Sequence, residues 1–193
     1  MLSAHLGTET FLEGVSNYLK AHKYSNATTK DLWDSLSQAS KQDVNSFMKP
    51  WIEKIGFPIV KVTEEPGQIS IHQSRFLISG DVEAKDDETV WWIPLGLKTA
   101  TSTVTSAAMT VKSDTLRDID DSFYKLNVNS TGFYRTCYPP ERLKKLGEAK
   151  DKLSMEDKIG LIGDAAALAQ SGDSTTAAFL SLIEGFSNEE EFR

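Results

Sequence analysis

Gly56-Phe57-Pro58-Ile59-Val60-Lys61-Val62-Thr63-Glu64-Glu65-Pro66-Gly67-Gln68-Ile69-Ser70-Ile71 is the stretch in which the chain changes period. Val60 and Val62, then Ile69 and Ile71, alternate with polar residues around Glu64-Glu65-Pro66-Gly67, which predicts a β-hairpin. Upstream the apolar residues recur at helical spacing. Downstream they keep a short, strand-like rhythm until Pro139-Pro140, where helical spacing returns. The expected class is α+β, a small antiparallel β-sandwich flanked by two partial α-helical regions.

Upstream, Phe11, Val15, Tyr18 and Leu19 share a helix face that should end near His22, with Thr10 and Glu13 as a capping box. Thr28 and Asp31 mark a second start before Leu32 and Leu36. Asp43 precedes a third helix, in which Val44, Phe47, Met48, Trp51, Ile52 and Ile55 follow one face; Pro50 should kink or split it. Downstream, Trp91, Ile93, Leu95 and Leu97 alternate with Trp92, Pro94, Gly96 and Lys98, which predicts one strand with one tryptophan buried and the other exposed. Val104, Met109 and Val111 mark weaker strands. Tyr124, Leu126 and Val128, the tetrad Asn129-Ser130-Thr131-Gly132 and residues 133–138 predict a second hairpin. Pro140 then opens a short helix through Leu143 and Leu146. Ser154 and Asp157 cap a helix that should stop at Gly172, and Phe179, Leu182, Ile183 and Phe186 form another. Ser187 and Glu190 read as the cap of a further helix. Met1 to Leu6 read as the last turns of a helix, so both ends look cut, and the layout predicts an excised piece of a larger protein.

Twenty-one bases against 28 acids leave a net charge of −7, which argues against nucleic acid as a partner because that affinity is carried by Lys and Arg. No apolar run is long enough for a bilayer, so no membrane partner is expected. The single cysteine, Cys137, has no internal disulfide partner, and with no leader pattern at the N-terminus a cytoplasmic location is expected. His5, His22 and His72 lack the i, i+4 partner and intervening glutamate of a zinc-hydrolase helix and read as ordinary surface or packing residues. A Cys137 nucleophile with His72 as base is a weak reading beside Cys137 as a small buried hydrophobe. Gly160-Leu161-Ile162-Gly163 lacks the Lys of a phosphate loop and reads as close helix packing. Asp86-Asp87-Glu88 reads as an exposed acidic turn rather than a cation site. Asn26 and Asn129 head glycosylation-type triplets but read as unmodified turn residues. Arg75 and Arg135 are strand arginines that either pair with neighbouring elements or stay solvated. No catalytic, cofactor-binding or metal-binding residue is assigned to this chain.

One collinear set of residues is far more specific than any of these motifs. Gly7-Thr8-Glu9-Thr10-Phe11-Leu12-Glu13-Gly14-Val15, Tyr18-Leu19, Asp31-Leu32-Trp33, Trp51 with Gly56-Phe57-Pro58, Gln73-Ser74-Arg75-Phe76, Trp92-Ile93-Pro94-Leu95, Gly132-Phe133-Tyr134-Arg135 and Asp164-Ala165-Ala166-Ala167-Leu168-Ala169 resemble, in order, zinc aminopeptidases of the gluzincin class. The puromycin-sensitive branch, which includes fungal alanine/arginine aminopeptidases, is the most similar. The resemblance implies that residues 1–55 are the helical end of a thermolysin-like catalytic domain, 56–138 a β-sandwich domain and 139–193 the start of a C-terminal helical domain. The family's zinc helix, third zinc ligand and transition-state tyrosine would all lie upstream of Met1. The chain is therefore expected to be an inactive scaffold fragment, with zinc and peptide substrate belonging to the parent and the missing flanking domains as its partners. An independent β-sandwich binding or oligomerisation module is the alternative, with self-association through exposed interdomain surfaces.

Overall fold

The computed structural model describes residues 1–80, 82–187 and 189. It resolves into two compact units, Met1–Ile55 and Gly56–Arg193. The class is α+β.

The first unit contains four helices, α1 (Leu2–Leu6), α2 (Thr8–Ala21), α3 (Thr29–Ser40) and α4 (Val44–Glu53). Its core is small, with Leu2, Leu6, Leu36 and Val44 buried. Gly14 lets α2 lie against α3: a Cβ there would sit 3.1 Å from the Leu36 Cα. Thr28 and Asp31 form the expected capping box on α3, and the Asp43 side chain caps α4 through the Ser46 N–H. The cap expected at Thr10 and Glu13 is corrected, because α2 starts three residues earlier, with Gly7 at its N-cap position, and Thr10 lies inside the helix. Nor is α4 split. It runs through Pro50, whose carbonyl accepts from the Lys54 N–H, so only the last turn carries the missing donor. Ile55 lies past its end and is 79% exposed.

The described residues of the second unit hold nine short strands: β1 (Pro58–Glu65), β2 (Gln68–Arg75), β3 (Ile93–Pro94), β4 (Leu97–Thr99), β5 (Thr103–Val104), β6 (Ala108–Met109), β7 (Ser113–Arg117), β8 (Tyr124–Lys125) and β9 (Arg135–Cys137). The helices α5 (Pro140–Glu148), α6 (Met155–Ser171) and α7 (Thr176–Gly185) follow. Strands β1 and β2 form the expected hairpin, with Glu65 opposite Gln68 across Pro66-Gly67. The main sheet runs β7-β2-β1-β9, beside a β3-β6 pair and a β5-β4-β8 sheet.

Two expectations fail here for one reason: the chain changes sheets. Strand β8 pairs with β4, whereas β9 pairs with β1 in parallel, Ile59 opposite Arg135. There is thus no second hairpin and the main sheet is not wholly antiparallel. Between β8 and β9, Asn127, Asn129 and Ser130 adopt positive φ, and the Asn127 amide ties the loop to Gly132 (2.7 and 3.1 Å). The strand expected from Trp91 to Leu97 is likewise divided between two sheets, with Gly96 at φ +53° between the halves. Both sides of this segment are packed, so Trp91 (0% exposed) and Trp92 (7%) are both buried. The helical signals hold: Pro140 opens α5, Ser154 and Asp157 form a capping box on α6, and Gly172 closes it at φ +84°. The helix start expected at Ser187 turns on Glu190, which lies outside the described residues.

Candidate functional site

The polar chemistry of the second unit gathers where its strands meet α5 and α6. Arg142 sits one turn into α5 on the face that also carries Leu143 and Leu146, so the guanidinium is buried, 2% exposed. Its Nε donates to Glu64 Oε1 (2.5 Å) on β1 and its Nη2 to the Asp121 carbonyl (3.0 Å), while the group lies 4.2 Å over the Tyr124 ring. The Tyr124 hydroxyl donates to the same Glu64 oxygen (2.6 Å). Burial pushes the Glu64 carboxyl up, but the hydrogen bonds from Tyr124 and Arg142 outweigh it and hold it below the usual range. The Tyr124 hydroxyl is driven the other way, above its ordinary value, by burial and then by Glu64.

A second tie is fully enclosed. Lys125 on β8 donates to the Leu126 and Asn127 carbonyls (3.0 and 2.7 Å) and pairs with Asp157 Oδ1 (2.8 Å). Asp157 is 0% exposed and also accepts from the Asn129 N–H (2.6 Å), so one carboxylate caps α6 and anchors the β8–β9 loop. Burial lowers the Lys125 ammonium from its ordinary value, against the opposing pull of Asp157. Next to it the Ser130 hydroxyl donates to the Glu156 carbonyl, and a Cβ on Gly160 would lie 1.9 Å from the Ser130 oxygen. That contact accounts for the glycine at 160 as close packing of a loop on a helix.

The third tie joins β9 to α6. Asp164 accepts from Arg135 Nη1 (3.0 Å) and from the Thr136 N–H (3.0 Å), while the Arg135 guanidinium lies 4.9 Å over the Phe76 ring. Burial raises the Asp164 carboxyl to about 6 despite these partners. Arg135 is thus paired rather than solvated. A fourth tie, Lys61 to Asp173 (2.7 Å), holds β1 to the residues that follow α6.

The remaining candidates are not brought together. Cys137 and His72 flank Lys61 on opposite neighbouring strands, about 10 Å apart at ordinary strand spacing. Burial pushes the Cys137 thiol up to about 11, away from nucleophilic use at neutral pH. His72 Nδ1 lies 2.7 Å from the Ser113 hydroxyl, His5 Nε2 lies 3.1 Å from the Gln42 side chain, and His22 contacts the Tyr18 ring. Asp87 accepts from the Arg75 N–H and pairs with Lys112 (2.9 Å), which makes the acidic turn a structural tie. The Asn129 N–H is bound by Asp157, and Thr28 beside Asn26 serves as a helix cap. Among the described residues, no three His, Cys, Asp or Glu side chains are grouped to hold a metal ion. No described helix is long and apolar enough to cross a membrane. Sequence reasoning missed Arg142, Glu64 and Lys125; the available signal was an arginine four residues before Leu146 on an apolar helix face.

Comparison with known proteins adds to this geometry. Residues 1–51 match the peptidase family M1 domain and residues 123–193 the ERAP1-like C-terminal domain. The whole chain is 45% identical over 196 aligned residues to aminopeptidase 2 of Candida albicans, of which it covers 21%. It is 42% identical to the mitochondrial aminopeptidase 2 and to the alanine/arginine aminopeptidase of Saccharomyces cerevisiae, again over its whole length and over 20% and 22% of theirs. The chain therefore spans about a fifth of the length of the curated relatives it matches.

Proposed function

We propose, on the premise that this chain belongs with the peptidase family M1 aminopeptidases, that it is a scaffold portion of a zinc-dependent aminopeptidase that removes N-terminal amino acids from peptides, and that it cleaves nothing by itself. The observation that carries this reading is the 42–45% identity along the whole chain to about a fifth of the length of three proteins named as aminopeptidases. The four ionic ties suit such a role, since each fastens strands to helices or to the turn that follows them. The donor set does not fit a zinc site: each histidine is spent on a local contact and the carboxylates of the seam are spent on cations and backbone N–H groups. No hydrolytic step is derived through these residues.

In this reading residues 1–55 complete a catalytic domain, 56–138 form a β-sandwich domain and 139–193 open a helical domain. The peptide substrate and the zinc belong to the parent, and the location is cytoplasmic. The test is direct. The purified chain is incubated with zinc and an aminoacyl reporter amide; we expect neither stoichiometric metal nor turnover, and hydrolysis would overturn the scaffold reading. The reading frame upstream of Met1 is expected to encode His-Glu-x-x-His, and its absence there would remove the aminopeptidase. Fractionation of cells bearing the tagged parent checks its location.

A further inference from the structure

A cavity of about 430 Å³ lies between one end of the β1–β2 hairpin, Gly80 and Val82, and the C-terminal turn of α6. That volume is in the range of small-molecule sites. Lys61, His72, Ser74, Arg75, Asp87 and Asp173 line it. Most of its charge is already matched: Lys61 by Asp173, and Asp87 by Lys112. Arg75 is the exception, since no carboxylate among the described residues pairs with its guanidinium. Its Nε is shut off from solvent and has no hydrogen-bond partner, so the donors left to a ligand in the cavity are those of the two Nη groups. The side chain is held there by packing: Gly56 lies against it, at φ +92°, and a Cβ on that glycine would stand 2.8 Å from the Arg75 Nε.

The facing wall has the opposite sign. Ser171 and Gly172 end the seventeen-residue helix α6 at the cavity, and a helix C-terminus carries a partial negative charge that favours a cation. The Asp173 carboxylate beside it is already matched by Lys61, so the helix end supplies the wall's negative character. A phosphate dianion would gain Arg75 but meet the negative end of the helix. A simple ammonium ion would gain the helix end but meet Arg75. A ligand carrying both signs satisfies both walls, and a guanidinium takes a carboxylate through paired N–H donors.

We propose that this cavity binds a small zwitterion with the chemistry of a free α-amino acid, its carboxylate on Arg75 and its ammonium toward the C-terminal turn of α6. The aminopeptidase reading would make such molecules the parent's products, but the binding proposal stands without it. The experiment titrates the 193-residue chain, followed by amide-resolved NMR, with L-alanine and L-arginine and with acetate, methylammonium and inorganic phosphate as single-sign probes. Saturable shifts at Ser74, Arg75, Gly172 and Asp173 are expected with the amino acids, and binding about tenfold weaker or worse with acetate or methylammonium. Arg75→Lys, which keeps the charge but loses the fork, is expected to weaken the amino acids about tenfold, and Arg75→Gln further, with circular dichroism as the check on folding. Tighter binding of phosphate, shifts confined to other residues, or no saturable shift with any probe overturns the proposal; the wild-type mapping decides even if a variant does not fold.

Discussion

Glu64 and Asp164 act on stability in opposite directions. The Glu64 carboxyl is held below its ordinary value, so the native state favours its charged form, and that contribution is lost as the pH falls through the carboxylate range. The Asp164 carboxyl is raised to about 6, so the native state binds this proton more tightly than the unfolded chain, where it titrates near about 4. Its charge therefore costs stability, and the cost appears as the pH rises from about 4 to about 6 and persists above. For Asp164→Asn we expect the stability relative to wild type to improve between about pH 4.5 and about pH 7, by on the order of 2 kcal/mol. Urea unfolding at both values measures it, and an unchanged difference would refute the assignment. Arg142 is the other sensitive position. Arg142→Ala leaves the half-buried Glu64 without its cation, with only the Tyr124 hydroxyl still donating to it, takes a donor from the Asp121 carbonyl, and is expected to cost about 3 kcal/mol. Arg142→Lys should recover only part, since one ammonium cannot reproduce both the planar stacking on Tyr124 and the two directed bonds. A loss under about 1 kcal/mol for the alanine variant would show that the seam is not what fastens α5.

Between elements, glycine decides how closely helices approach. Helices α5 and α7 cross at Gly147 and Gly185, where a Cβ on Gly185 would stand 2.6 Å from the Gly147 Cα. Gly185→Ala is expected to destabilise by about 1–3 kcal/mol, because backbone must move, and this exceeds the gain of about 1 kcal/mol in helix propensity. Gly163, also helical, has nothing within 4 Å of its Cβ position, and Gly163→Ala is expected to stabilise by about 0.5–1 kcal/mol. Thermal unfolding of the two variants should move in opposite directions, and a shared direction would contradict the packing argument. The same contrast explains what was legible in the sequence. The caps at Thr28 and Ser154, the Gly172 stop and the β1–β2 turn are local events, written within four residues of where they act. The β1–β9 pairing, the burial of both Trp91 and Trp92 and the bond between Arg142 and Glu64 depend on residues tens of positions away. Alternation cannot report them when a strand passes from one sheet to another. Arg75 was legible as a strand arginine, but the cavity beside it needed the fold.

At the scale of the molecule the two units carry unequal cores. Met1–Ile55 buries few large side chains, and a piece of that size is marginal on its own. Amides of α2 and α3 are expected to exchange with solvent well before those of β1 and β2, so that unfolding has two steps rather than one. Hydrogen exchange with peptide-level mass spectrometry resolves this, and equal protection in both units would contradict it. Residues 56–193 are expected to unfold together, because β1 is bonded to its neighbour in sequence on one side and to β9 on the other. That last arrangement also sets a schedule. The β1–β2 hairpin can close as soon as Arg75 is made, whereas the opposite edge of β1 must wait for Arg135–Cys137, a loop of slow, costly closure. During synthesis on the ribosome β1 therefore presents one unsatisfied edge while the intervening strands emerge, and it is in that interval that a chaperone or a second nascent chain would find it.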